Sequence, residues 1–277
     1  MFGRLSLAYW VHTPHPFLIR FSENFGVRYY GLAYLAGFVV AGWLLQRYHK
    51  AGRSPLDLTS IFDLMTCLIA GVVVGGRLGY FLLYQPESFL HDPLVLFRVW
   101  EGGMASHGGM IGVVVGMWWF TRKREISFLQ VSDLVVTVAP IGLFFGRLAN
   151  FVNGELWGKV TSVPWAMIFI HTGGGPDPRH PSQLYEAGLE GLLLFAFLQW
   201  RFWKSRSAQT QPGRIAGEFL IAYALARSLG EIFREPDEGI SLILGLSRGT
   251  FYSLFMILAG VALIAYASQR KALKGKS

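Results

Sequence analysis

LMTCLIAGVVVGGRLGYFLLY, residues 64–84, is the stretch that decides the fold. It is apolar from end to end except for Arg77. At 1.5 Å of rise per residue, a helix of this length crosses a hydrocarbon core of about 30 Å. Working outward, comparable runs occur at 29–46, 104–120, 131–150, 184–200, 219–233 and 249–267. They are too long for strands and lack strict alternation and regular hairpin turns. Composition agrees: of 277 residues 52% are hydrophobic and 15% charged, where a soluble domain carries about a quarter charged. A disordered chain, a coiled coil and a disulfide scaffold are excluded, and a soluble enzyme is disfavoured. The single cysteine, Cys67, excludes CxxC redox chemistry and cysteine-based zinc sites.

The net charge of +8 is organised along the chain. Arg47, Lys50 and Arg53 follow the first run. Arg122, Lys123 and Arg124 follow the third. Arg201, Lys204, Arg206 and Arg214 follow the fifth, and Arg270, Lys271, Lys274 and Lys276 the seventh. Every second connection is thus basic, and together they hold 14 of the 25 lysines and arginines. The positive-inside rule places these connections in the cytoplasm. The expected architecture is an all-α polytopic membrane protein with seven transmembrane helices, its N-terminus periplasmic and its C-terminus cytoplasmic. No basic patch on a soluble face suggests nucleic acid.

Residues 1–27 lack the apolar core and cleavage site of a signal peptide and read as an interfacial segment on the outer face. The longest outer connection, 151–183, contains Trp157, Trp165, a Gly173–Pro178 stretch and Arg179-His180-Pro181. It is expected to form a small periplasmic head with little helix, and 85–103 and 234–248 are expected to pack beside it. Otherwise 1–277 reads as a single membrane-embedded domain. Gly71/Gly75/Gly79, Gly108/Gly112/Gly116 and Gly142/Gly146 follow the small-xxx-small spacing that lets membrane helices approach closely.

Ionisable groups inside apolar runs cost several kcal/mol unless they face protein, water or a ligand. Asp63, Arg77, His107, Asp133, Arg147, Glu186, Glu190, Arg227, Glu231 and Arg234 are such groups. Tyr223, Arg227, Glu231 and Arg234 share one face of a helix by spacing. Two arginines and one glutamate leave a positive charge there. A carboxylate such as Glu155 balances it on one reading, which makes the set a buried ion-pair ladder. A substrate phosphate, gripped by arginine through paired hydrogen bonds, balances it on the other. Arg147 and Asn150 lie on one helical face at the outer end of the fourth run, followed by Asn153, Gly154, Glu155 and Gly158. They read either as an interfacial anchor or as a polar ligand site. His107, set among glycines at the start of the third run, is either structural or a proton acceptor.

Motifs for a nucleophile elbow, a zinc metalloprotease, a P-loop or a dinucleotide fold are absent. The histidines are scattered, so neither a metal nor a cofactor is expected. Cys67 lies in an apolar run where a thiol is inert, so in a transferase the nucleophile comes from the substrate. An anion or lipid transporter and a structural scaffold are the rival classes. A transporter calls for a mid-membrane site open to both faces, whereas these polar residues gather toward one face.

The segments RYYGLAYLAGF from Arg28, GGRLGYFLLY from Gly75, EGGMASHGGMIG from Glu101, GRLANFVNGELWGK from Gly146, RHPSQLYEAGLEG from Arg179 and GEFLIAYALARSLGEIFREPD from Gly217 resemble the phosphatidylglycerol–prolipoprotein diacylglyceryl transferases of the bacterial inner membrane. The resemblance implies seven spans and a site toward the periplasmic face. It also implies transfer of a diacylglyceryl group from phosphatidylglycerol to the lipobox cysteine of a preprolipoprotein, forming a thioether and releasing glycerol 1-phosphate. By motif, it implies that Arg147 binds the headgroup, with Asn150, Glu155 and Gly158 in the same block. It brings in His107, Arg227 with Tyr223, Tyr30, and Glu231 with Arg234. On this basis Arg147 and Arg227 are expected to clamp the phosphate. His107 is expected to accept or steer the thiol proton, and Glu155, Glu231 and Arg234 to fix the arginines.

Overall fold

Each of the seven apolar runs is helical over most of its length, a conformation in which every peptide group finds its partner within its own segment. The structure is a computed structural model describing residues 9–22, 26–98, 102–236 and 243–274. Glu101, Lys276 and parts of 1–27 and 234–248 lie outside the described residues. In chain order the elements are β1 (Trp10–Val11), β2 (Phe17–Arg20), β3 (Gly26–Arg28), α1 (Tyr29–Lys50), α2 (Leu58–Tyr84), α3 (Pro86–His91), a 3₁₀ turn (Pro93–Phe97), α4 (Ser106–Arg124), α5 (Phe128–Asn153), β4 (Met167–Ile168), a second 3₁₀ turn (Ile170–Thr172), β5 (Pro178–Arg179), α6 (Ser182–Glu186), a π-helical stretch (Ala187–Leu193), α7 (Leu194–Lys204), α8 (Ser207–Thr210), α9 (Arg214–Glu231) and α10 (Arg248–Lys274).

Among the described residues, four helices are long and apolar enough to cross a membrane: Tyr29–Lys50, Leu58–Tyr84, Phe128–Asn153 and Arg248–Arg270. The chain is a mostly helical, multi-pass membrane protein. Large apolar side chains point outward, among them Leu82 and Leu83 of α2, Val114 and Val115 of α4, and Leu258 and Val261 of α10. Lipid covers such a surface without cost; water does not. At the basic C-terminal ends of four helices a cation lies over an aromatic ring of the same helix. Arg47 covers Trp43, Lys123 covers Trp119, Arg201 covers Trp200 and Arg270 covers Tyr266, at 5.0 to 5.9 Å.

The chain forms two compact units, Gly42–Leu134 and Met1–Ala41 with Val135–Ser277. In the first of these, α2 and α4 meet along the glycines singled out in the sequence. A Cβ on Gly79 would come 2.8 Å from the Gly108 Cα, and one on Gly116 would come 2.5 Å from the Cys67 carbonyl. At Gly71 and Gly75 it would overlap the carbonyls of Gly112 and Gly108. Arg77 is buried and ligated by carbonyls. Its guanidinium donates to Leu96 O at 3.1 Å, Gly103 O at 3.2 Å and Arg98 O at 3.1 Å, and also to Val95 O and Gly102 O. This ties residues 95–98, 102 and 103 to α2.

In the other unit the expected all-α character gives way locally to short strands. β1, β4 and β5 form a three-stranded sheet in that order, and β2 pairs with β3. Residues 10 and 11, in the segment read as interfacial, are part of the head, paired in parallel with Met167 and Ile168. His12 donates its N–H to Ile168 O at 2.8 Å and buries its ring against Phe151 and Phe169, at 5.1 and 5.2 Å. Residues 234–236 do pack on this head. Glu235 N–H donates to Trp157 O at 3.3 Å, and the Glu235 carboxylate pairs with Arg179 at 3.0 Å. Residues 85–98, 102 and 103 belong to the unit Gly42–Leu134.

Candidate active site

The site grows from the C-terminal end of α5. Arg147 and Asn150 leave the helix on one face, as their spacing requires. Gly154, at φ +71°, and Leu156, at φ +60°, then turn the chain back. This turn sets Glu155 against the helix it has just left. The Glu155 carboxylate accepts from Asn150 Nδ2 at 2.6 Å and Asn153 Nδ2 at 3.4 Å. Its backbone carbonyl accepts from Gln183 Nε2 at 2.7 Å. Tyr34 of α1 stands close enough to Glu155 to interact with it electrostatically, and Tyr30 packs against Tyr34 at 5.3 Å.

Glu155 therefore braces the asparagines. It does not supply the arginines' counter-charge, as the sequence had suggested. The carboxylates that hold the arginines come from α6 and the π-helical stretch. Arg147 Nη1 lies 3.0 Å from Glu186 Oε2, and Arg147 Nη2 lies 2.9 Å from Glu190 Oε2. Arg227, projecting from α9, reaches the same pair, at 2.8 Å to Glu186 and 3.5 Å to Glu190. It also pairs with Glu231 one turn along its own helix. Glu186 and Glu190 are fully buried, while the arginines keep 15 to 16% of their side-chain surface exposed. Tyr223 lies within electrostatic reach of Arg147, Arg227, Glu186 and Glu190.

Arg234 lies just past the end of α9. The helix ends at Glu231, and Phe233 and Arg234 N–H both fold back onto Gly230 O, at 3.1 and 3.2 Å. Two forces end the helix there. Pro236 disfavours helical geometry ahead of it, and Phe233 O is drawn off to accept from Lys159 N–H at 2.9 Å. Arg234 forms a bridge with Gly158 and still lies 3.7 Å from Glu186. Gly158 sits at a crossing with no room for a side chain, where a Cβ would come 2.6 Å from both His180 O and Phe233 O.

The structure thus gathers Arg147, Tyr223, Arg227, Glu231 and Arg234, with Asn150, Glu155, Gly158 and Tyr30 in the same unit. His107 lies exposed in the first turn of α4, in the unit Gly42–Leu134. Sequence reasoning missed Glu186 and Glu190 as the arginines' partners. The available signal was their spacing of four in an apolar run, the same spacing as Arg227 and Glu231. No group of three or more histidine, cysteine or acidic side chains able to hold a metal occurs among the described residues.

A helical multi-pass membrane protein with arginines clustered at helix ends beside a small folded head is the class these features define. The profile of the prolipoprotein diacylglyceryl transferase family matches residues 16–266, and the chain belongs to that family. It is 46% identical over 246 residues to the phosphatidylglycerol–prolipoprotein diacylglyceryl transferase of Zymomonas mobilis, covering 88% of this chain and 85% of the relative. For the enzyme of the same name from Rhodospirillum rubrum the identity is 47% over 252 residues, 90% and 91% of the two chains. For that of Vibrio vulnificus it is 48% over 245 residues, 88% of each.

Proposed function

We propose that this chain transfers the diacylglyceryl group of phosphatidylglycerol to the lipobox cysteine thiol of preprolipoproteins, the first step of bacterial lipoprotein maturation. The sulfur attacks the glyceryl carbon and a thioether forms. The carbon–oxygen bond to phosphate breaks, and glycerol 1-phosphate leaves. The observation that carries the assignment of the site is the convergence of Arg147 and Arg227 on the same two glutamates. Two guanidinium groups held side by side, each partly exposed, are suited to a phosphate on which negative charge grows as the bond breaks. Arg147 and Arg227 clamp that phosphate. Glu231 and Arg234 orient Arg227 and its surroundings, and Glu155 holds Asn150. Tyr30, Tyr223 and Gly158 line or shape the lipid site. His107 accepts or steers the thiol proton.

In this reading all seven helical runs span the bacterial inner membrane, with the N-terminus periplasmic and the C-terminus cytoplasmic. The cation-over-aromatic pairs at the C-terminal ends of α1, α4, α7 and α10 support it. Basic residues favour the cytoplasmic side, and aromatic rings favour the interface. Residues 1–277 act as one transferase domain, and the head, mainly 151–183, lies on the periplasmic side with the site beneath it.

Purified protein, phosphatidylglycerol and a lipobox peptide test the assignment, with thioether product read by mass spectrometry. Arg147→Ala is expected to lower the rate by about a hundredfold or more, the scale of losing one transition-state donor. Wild-type turnover in a folded Arg147→Ala protein rules out the phosphate role.

A further inference from the structure

Glu186 and Glu190 have no part in the chemistry just described, yet they are the most deeply buried charges in the site. A buried ion pair is a poor source of stability, since desolvation offsets most of the attraction. Here the fold uses three devices to keep the pair. Each glutamate touches both arginines, a cross-bracing that fixes the distance between the two guanidinium groups where a simple ion pair would not. Glu190 lies in the π-helical stretch Ala187–Leu193, a geometry found mostly as local insertions at functional sites. Facing them, α9 presents Gly230, where a Cβ would stand 3.2 Å from Glu186 Cγ and 3.9 Å from Glu190 Oε1.

The formal charges of the cluster also balance. Arg147, Arg227 and Arg234 face Glu186, Glu190 and Glu231. Left uncompensated, three guanidinium groups in a partly dry site would grip any phosphate strongly, product included. Binding that is equally strong before and after the reaction does not speed it. We propose that Glu186 and Glu190 are positioning residues with two effects: they hold Arg147 and Arg227 at a fixed spacing, and they cancel enough charge for glycerol phosphate to leave. The proposal rests on the reading of Arg147 and Arg227 as phosphate ligands.

Glu190→Gln tests it, because the amide keeps the shape and removes the charge. Initial rates against phosphatidylglycerol give kcat and KM, and added glycerol 1-phosphate gives the product inhibition constant. The expected result is a kcat lowered at least about tenfold, together with product inhibition at least about tenfold tighter. Glu190→Asp, which keeps the charge, should retain wild-type product inhibition. A purely structural role would not tighten product binding. Unchanged or weaker product inhibition in folded Glu190→Gln overturns the proposal.

If Glu190→Gln does not fold, Gly230→Ala crowds the carboxylates without removing charge. It should lower kcat while leaving product inhibition unchanged; an unchanged kcat, or tighter product binding, overturns the proposal. Arg227→Ala separates the two levels. Wild-type rate and product inhibition in that variant remove the phosphate reading, and the proposal with it. A failure confined to Glu190→Gln removes only the role of the glutamates.

Discussion

Where α2 meets α4 the backbones touch at a row of glycines; where α5 and α6 meet α9, the contact is made by charges. The first contact suits lipid, where no hydrophobic force drives helices together and close van der Waals packing of small residues must do so. The second does not suit it, because the carboxylates lose their water and recover little net stability. A membrane protein able to join helices through glycines has no packing reason to bury Glu186 and Glu190. Their presence therefore points to chemistry, and the glycine seam shows what the purely structural solution looks like in the same chain.

Three measurements sharpen that contrast. The largest effect is expected at the seam. Gly112→Leu forces a four-carbon side chain against the Gly71 carbonyl, an overpacking that costs about 3 kcal/mol or more where the backbone cannot yield. Detergent-solubilised variant should melt well below wild type or fail to accumulate, and a wild-type melting curve would mean that α2 and α4 do not meet there.

A smaller effect is expected in the head. The His180 ring packs against Tyr185 and Phe233, at 5.7 and 5.3 Å. Burial first, and then the nearby Lys159 charge, hold its pKa below the ordinary 6.5. An unfolded chain takes up the proton more readily, so the stabilising effect of the neutral ring is complete above pH 6.5 and declines as the pH falls below it. Thermal melts between about pH 5 and 8 should show this acid loss in wild type and a shallower slope in His180→Asn. Parallel slopes would take His180 out of that role.

The smallest effect belongs to Asp63 and Arg124, an ion pair with 43% and 37% of its side-chain surfaces exposed. Asp63→Asn should cost less than about 1 kcal/mol. A larger loss would show that charge pairs outside the arginine cluster also hold helices together here.

The helical, membrane-spanning character and the glycine seam were legible because both are periodic and local: a run of apolar residues needs no partner to be recognised, and small-xxx-small spacing specifies its own face. Arg147, Arg227 and Glu231 were legible as charges out of place. Their partners were not, since Glu186 lies about 40 residues from either arginine in sequence, and only the meeting of α5, α6 and α9 brings them together. Arg234 was read as part of α9, which stops at Glu231 where Phe233 O finds Lys159, again a distant pairing, yet it still reaches Glu186. The strands of the head escaped notice for a simpler reason: at two residues apiece, β1, β4 and β5 are too short to show alternation. Glycine positions such as 158, crowded by His180 and Phe233, carry no sequence signal beyond their identity.

Arg77 shows one further economy of this architecture. Its guanidinium is stripped of water and resolvated by peptide oxygens, much as a small cation would be in a cage of ligands, except that this cation is tethered to its own polypeptide. Because those oxygens bear no net charge, the ionic strength of the surroundings has little hold on the arrangement. The bonds it makes to residues 95–98, 102 and 103 hold across media that would loosen an exposed ion pair.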